Sequence, residues 1–263
     1  MGEPKRIAFG GRKGGIGKTA VTVAVADDLA HRHGLTVLVV DMDPQACATT
    51  WLGVSNPDRT MSDVLYNSHV DGALNAAIVE TSWTNVWVAP AEEELASREA
   101  DQAPSKELRL RRVLRTADLS WVDVVLMDCP PSLGPLFVMG LNAAEDLIVV
   151  TDSERGGVNG VAKALTTAHI IAEDANPALT VAGIVMNKYD QTTGEHPARW
   201  AELAQLYPDY PRWRLPKRAA VANAYGASAP PRLMAGAAPF VLYIRDVVDH
   251  LMSTGQHVGQ SVT

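Results

Sequence analysis

The chain has 263 residues, 47% hydrophobic and 20% charged, with a formal net charge of −7. That is enough apolar side chain for one sizeable core, and too little charge bias for disorder. An acidic chain is not drawn to nucleic acid as a whole, two cysteines exclude a disulfide scaffold, and no stretch is apolar enough to span a membrane or resemble a signal peptide.

Arg6–Phe9 reads as a short buried strand, and Ala20–His31 as an alanine- and valine-rich helix whose first turn faces an anion. Between them Arg12–Thr19 reads R-K-G-G-I-G-K-T. A phosphate-binding loop needs small residues, so that backbone N–H groups close on the anion, and one lysine to neutralise the terminal phosphates. Lys18 is that lysine. Lys13, five positions earlier, is a second cation at the loop mouth, placed to deliver charge to a phosphate outside its own pocket. Arg12 stands where the general pattern has glycine, while Gly10, Gly11, Gly14, Gly15 and Gly17 keep the loop flexible. A glycine-rich turn that binds nothing is the plain alternative, and strand, G-K-T and helix together argue against it. For Lys13 taken alone, a solvated loop lysine stays open.

Further along, Val37–Val40 suits a buried parallel strand and ends in Asp41-Met42-Asp43-Pro44-Gln45. Val86–Ala89 reads as a strand. Lys106–Arg115 carries Lys106, Arg109, Arg111, Arg112 and Arg115 around a stripe of Leu110, Val113, Leu114 and Ala117, a solvated helix face in preference to a DNA contact. Val122–Met127 is another apolar run, ending in Asp128-Cys129-Pro130-Pro131-Ser132-Leu133-Gly134. Aspartates after strands are often caps, but two beside a phosphate loop mark where magnesium and an attacking water sit. Leu147–Thr151 and Val181–Met186 read as strands, and Gly157–Glu173, His196–Leu206 and Phe240–Met252 as helices, with Tyr225–Pro239 a surface loop. The alternation predicts an α/β fold, a doubly wound, mostly parallel sheet with helices on both faces. With no linker or repeat, residues 1–263 form one expected domain, and 1–5 and 253–263 are expected flexible ends.

These segments resemble the ParA-type ATPases of the deviant Walker A group, which partition plasmids, chromosomes and other cargo. The resemblance rests on K-G-G-I-G-K-T at Lys13–Thr19, D-M-D-P-Q at Asp41–Gln45, D-C-P-P-S-L-G at Asp128–Gly134, V-M-N-K-Y-D at Val185–Asp190 and the weaker L-P-K-R at Leu215–Arg218. It implies ATP and Mg2+ as cofactors. Lys18 would hold the phosphates of its own ATP, with Gly14, Gly15, Ile16, Gly17, Thr19 and Ala20 completing the loop. Lys13 would reach across an ATP-bound homodimer to the partner's nucleotide. Thr19, Asp43 and Asp128 would serve the metal, Asp43 also orienting the water with Asp41 in support. Asn187 and Pro216 would flank the adenine.

The resemblance further implies a cytoplasmic, nucleoid-associated switch, weakly active alone, whose hydrolysis is stimulated by a ParB-type centromere-binding protein. It implies nonspecific double-stranded DNA as a partner, contacted by Arg212, Arg214, Lys217, Arg218 and Arg245, with Arg232 nearby. Nucleoid-binding relatives often carry arginine a few residues after the proline matching Pro216, where this chain has Ala220. Because the phosphate loop starts close to the first residue, the helix-turn-helix domain of operator-binding relatives is not expected here. Two alternatives are a MinD-like membrane-surface regulator of cell division and a P-loop small-molecule ligase. The first needs an amphipathic C-terminal helix. The stripe Phe240, Val241, Ile244, Val247, Val248 and Leu251 has Asp246, Asp249 and only Arg245 opposite, which favours a docked helix and no membrane contact. Cys47 and Cys129 read as small thiols, the seven histidines have no metal-ligand spacing, and the six tryptophans read as packing. Trp51, close after Asp41–Gln45, is the one placed to report movement there.

Overall fold

Strand β1 (Lys5–Gly10) sets both faces of the sheet by simple alternation: Ile7 and Phe9 are buried in one helical layer and Ala8 in the other. The computed structural model describes residues 2–154 and 156–254. The first layer holds α1 (Lys18–His33), α2 (Cys47–Trp51), α8 (Ala219–Gly226) and α9 (Ala238–Thr254). The second holds α3 (Met61–Tyr66), α4 (Arg109–Thr116), α5 (Pro135–Ala143), α6 (Gly157–Asp174) and α7 (Glu195–Leu206). Strands apolar on both faces read as unbroken hydrophobic runs, which is why Val37–Val40 shows no period of two.

The remaining strands are β2 (Val37–Asp41), β3 (Val79–Glu80), β4 (Val86–Ala89), β5 (Val124–Asp128), β6 (Asp146–Asp152), β7 (Thr180–Tyr189) and β8 (Arg212–Pro216). They form one eight-stranded sheet in the order β3-β4-β2-β5-β1-β6-β7-β8. Every pairing is parallel except β3 on β4. The doubly wound α/β expectation therefore holds.

Several boundaries move for visible reasons. The run read from Val122 starts two residues later as β5, because Asp123 is spent on a lock. Its carboxylate accepts from the Thr36 N–H (2.8 Å), and its own N–H donates to the Thr36 carbonyl (2.9 Å). Lys5 belongs to β1, donating to Leu251 O (3.0 Å) and pairing with Asp146 (2.8 Å), so order begins inside the expected flexible N-terminus. Ser253 and Thr254 close α9, while Met1 and 255–263 lie outside the described residues.

Tyr225–Pro239 is not a free surface loop. Tyr225 and Gly226 end α8, residues 231–233 form a 3-10 turn, and Pro230, Pro231 and Ala237 are buried. Phe240, Ile244, Val247, Val248 and Leu251 of α9 are buried, and α9 packs on α1. The stripe a membrane helix would need is consumed by the core. Among the described residues, no helix is long and apolar enough to cross a membrane.

Candidate nucleotide site

The sheet brings the expected residues to one edge. Asp41 ends β2 directly beside Asp128, which ends β5. Next comes β1, whose last residue Gly10 opens the glycine loop, and then β6 and β7, whose ends pair Asp152 with Asn187. Pro216 closes the row at the end of β8. Ligands of open α/β sheets bind at this carboxyl edge.

The loop turns into α1 at Gly17, whose φ of 89° is left-handed, so the first helical N–H groups face the edge. Lys18 is 6% exposed yet lines a cavity of about 650 Å³. Burial lowers its pKa, and the nearby Asp128 and Asp43 pull it back up. Such a cation gains from an incoming polyanion. Thr19, the next residue, and Thr22, one turn further on, both donate hydroxyls to Asp128, to Oδ2 at 2.6 Å and to Oδ1 at 3.1 Å. Asp128 is fully buried, and burial raises its pKa against those two hydrogen bonds and the charge of Lys18. A hydroxyl with one or two carboxylates is a hard oxygen donor set that suits magnesium, which leaves its remaining positions to water and phosphate. Among the described residues, no group of three or more His, Cys, Asp or Glu side chains is placed to hold a metal by itself, so the protein donors alone would not complete a shell.

The two aspartates after β2 differ in kind. Asp41 is fully buried and both its oxygens are used. Oδ2 accepts from the Thr49 N–H (2.9 Å) and hydroxyl (2.7 Å), and Oδ1 from the Asp43 N–H (3.1 Å). Burial and then the charge of Asp128 raise its pKa. Asp43 lines the cavity, with Oδ1 accepting from the Gln45 N–H (3.0 Å). Asp41 therefore shapes the turn, and Asp43 is the one of the two that lines the cavity.

Lys13 stands apart. Its ammonium pairs with Asp152 (2.9 Å) and also touches Glu154, and the side chain is 47% exposed. The hydrogen bonds it donates to Glu154 and Asp152 raise its pKa. It lines a second, smaller hollow with Arg12 and Gly157, not the cavity that holds Lys18. The two lysines of one loop thus face different spaces.

On the far side, Asn187 donates its amide to Ile16 O (2.9 Å), and Lys188, itself left-handed at φ 55°, donates to Gly15 O. A Cβ on Gly17 would stand 2.2 Å from the Asn187 amide nitrogen. Gly17→Ala is therefore expected to displace Asn187, strain the left-handed turn and weaken labelled-ATP binding by at least about tenfold, read by fluorescence titration.

The arginine cluster resolves differently from its appearance in the sequence. Arg212 is committed to the backbone after α7, donating to the carbonyls of Tyr207 and Tyr210. Arg245 lies 3.8 Å from Asp28, and Arg232 pairs with Asp27 at 2.9 Å. Arg214 is stacked over Tyr189 and Trp200, 5.2 and 5.7 Å from the ring centroids. Lys217 and Arg218 are exposed, and they line both the nucleotide cavity and the groove beside it. On α4, Arg111, Arg112 and Arg115 face outward as expected, whereas Arg109 is buried on Asp101. Both cysteines are free: Cys129 is buried, and Cys47 is half-buried on the cavity wall.

Thr22, Thr49, Asp152, Glu154, Lys188 and Tyr225 join the site through the fold alone. Thr22 was available as one helical turn beyond Thr19, and Asp152 as a third aspartate closing an apolar strand. Nothing local marks Thr49 or Tyr225.

A glycine loop between β1 and α1, a buried lysine, and strand-end aspartates beside a helical threonine define a P-loop nucleoside triphosphatase. The comparisons narrow this. A family profile described as an AAA domain matches residues 4–181. The sporulation initiation inhibitor protein Soj of Bacillus subtilis is 34% identical over 192 residues, covering 72% of this chain and 74% of that protein. The chromosome-partitioning ATPase Soj of Thermus thermophilus is 35% identical over 189 residues, covering 72% and 71%. A solved structure of cobyrinic acid a,c-diamide synthase from Mycobacterium smegmatis, with bound ADP and magnesium, is 29% identical, with a TM-score of 0.80 over 96% of each chain. The chain belongs to the ParA/Soj-type P-loop ATPases within the AAA-domain family.

Proposed function

We propose that this protein is an ATP-dependent dimerising switch that binds DNA nonspecifically and drives DNA partition, its hydrolysis stimulated by a ParB-type partner. The observation that carries this reading is the split between Lys18, inside the cavity, and Lys13, outside it on the same loop. A cation that does not face its own nucleotide gains a role when a second copy brings another nucleotide to it. Lys18 would neutralise the phosphates of the bound ATP. Thr19, Asp43 and Asp128 would hold Mg2+, which would supply charge neutralisation of the triphosphate. Asp43 would orient the attacking water while Asp41 fixes the turn beneath it. The Asn187 carbonyl and the Pro216 backbone would meet the adenine. Such catalysis is positioning and charge compensation, and it becomes conditional on two subunits meeting.

Size-exclusion with light scattering tests the switch: a monomer in ADP, and a dimer in a non-hydrolysable ATP analogue. A monomer in both states would refute it. The DNA contact draws its support from Lys217 and Arg218, two exposed cations at the cavity rim, with the stacked Arg214 beside them. The pair of changes Lys217→Ala and Arg218→Ala is expected to weaken ATP-dependent retention on arbitrary duplex DNA and lower the log–log salt slope by about two. Because both residues also line the nucleotide cavity, ATP affinity is titrated in parallel, and retention should fall further than affinity does.

A ligase reading has one specific observation in its favour, the synthase name of the Mycobacterium smegmatis neighbour. It predicts ATP turnover that requires a small-molecule carboxylic acid and ignores both DNA and dimerisation. Turnover assays with and without each component separate the two.

A further inference from the structure

We propose that Trp51 is a positioning residue for ATP hydrolysis, tying the Asp41–Asp43 turn to α8, a second element that lines the nucleotide cavity. The inference rests on the ATPase reading above and goes beyond it. Three consecutive residues of α2 make three different grips. Thr49 gives both its N–H and its hydroxyl to Asp41. The Thr50 carbonyl accepts from the Ser228 hydroxyl at 3.3 Å. The Trp51 indole N–H donates to Ala229 O at 3.0 Å, and its ring meets Tyr225 edge-on, with centroids 5.4 Å apart and planes at 86°.

The partners of the last two grips belong to α8 and the turn that follows it. α8 lines the cavity through Ala219, Val221, Ala222 and Tyr225, and the chain leaves it through Ser228 and Ala229. Ser228 is left-handed at φ 48°, a conformation that a serine holds only when its surroundings impose it. Asp43 and Gln45 line the same cavity. A nucleotide that presses on α8 therefore acts, through Trp51 and then Thr49, on the carboxylate that shapes the Asp43 turn. The linkage is short, covalent within α2, and made of directional contacts at both ends.

The molecule contains its own control. Trp83 donates its indole N–H to Ser228 O, the carbonyl next to that taken by Trp51, at the same 3.0 Å. Trp83 precedes β4 and lines no part of the cavity. Trp51 itself lines the cavity, so a direct nucleotide contact would raise KM, whereas a positioning role lowers kcat and leaves KM near its wild-type value.

The test compares Trp51→Phe with Trp83→Phe in the full chain, reading steady-state ATPase kcat and KM with magnesium, and Tm without nucleotide. Each change keeps an aromatic ring and removes one indole donor, so both should lower Tm by similar amounts. Trp51→Phe is expected to reduce kcat by about five- to tenfold with KM within about twofold, while Trp83→Phe leaves kcat within about twofold of wild type. Tyr225→Leu, which keeps apolar volume but loses the edge contact, should reproduce the kcat loss even if Trp51→Phe proves poorly folded. Equal effects of the two tryptophan changes, or an unchanged kcat in Trp51→Phe or Tyr225→Leu, would overturn the proposal while leaving the ATPase reading intact. A wild-type chain that turns over no ATP would instead remove that reading, and the proposal with it.

Discussion

Lys13→Ala is expected to bind ATP within about twofold of wild type and yet to lose both the ATP-dependent dimer and partner-stimulated turnover. The reasoning starts from placement. Lys13 does not line the cavity that holds Lys18, so its removal subtracts little from the affinity of one subunit for its own nucleotide. Its ion pairs with Asp152 and Glu154 are half exposed. Screening leaves such pairs worth about 1 kcal/mol or less, so the fold should survive. A cation supplied in trans to a phosphoryl in transfer is worth about 10³–10⁵ in rate, which sets the size of the expected loss. Single-subunit binding by labelled-nucleotide titration, dimerisation by light scattering and phosphate release give three independent readings. A Lys13→Ala protein that dimerises and hydrolyses normally would show that the second lysine is only a surface ion pair.

The same residue shows how far sequence carries and where it stops. The glycine spacing identifies the loop and the cation at its mouth, because small residues and a lysine have few other uses in that order. The partners of Lys13 are another matter. Asp152 and Glu154 lie on β6 and just beyond it, about 140 residues away in sequence, and only the neighbouring positions of β1 and β6 in the sheet bring them together. The strand-end aspartates were legible as a class, since apolar runs ending in Asp repeat at Asp41 and Asp128. Their division of labour was not. It depends on Thr49 filling both hydrogen-bonding directions of one oxygen of Asp41, which no local pattern announces. The basic cluster misled for the opposite reason. Arg212, Arg214, Lys217, Arg218 and Arg245 look alike as letters, but a guanidinium next to a helix end takes its carbonyls, and one beside aromatic rings stacks on them. Sequence counts charges, whereas only packing shows which of them are already spent. Elements shorter than two helical turns, such as α2, were missed because their apolar positions are too few to show a period.

Asp43→Ala is expected to give the reverse phenotype to Lys13→Ala: a dimer that forms in ATP and then fails to dissolve. Asp43 faces the cavity, and among the described residues its carboxylate accepts a side-chain hydrogen bond only from the local Gln45 N–H. Truncating it therefore removes a group that can orient water without dismantling the turn, because the Asp43 N–H still donates to Asp41. Losing a positioned base or water-orienting carboxylate costs about 10²–10⁴ in rate. Nucleotide binding should persist through Lys18 and the loop N–H groups, and the Lys13 ammonium remains available to a partner. Light scattering in ATP with magnesium should show a dimer outlasting the wild-type one by a factor comparable to the loss of turnover. Asp41→Ala supplies the contrast: it strands the Thr49 donors in a buried site, so it should lower Tm by an amount that Asp43→Ala does not approach. If Asp43→Ala hydrolyses ATP as fast as wild type, the attacking water is held by some other group. If instead it cannot dimerise in ATP, Asp43 belongs to nucleotide binding and not to turnover.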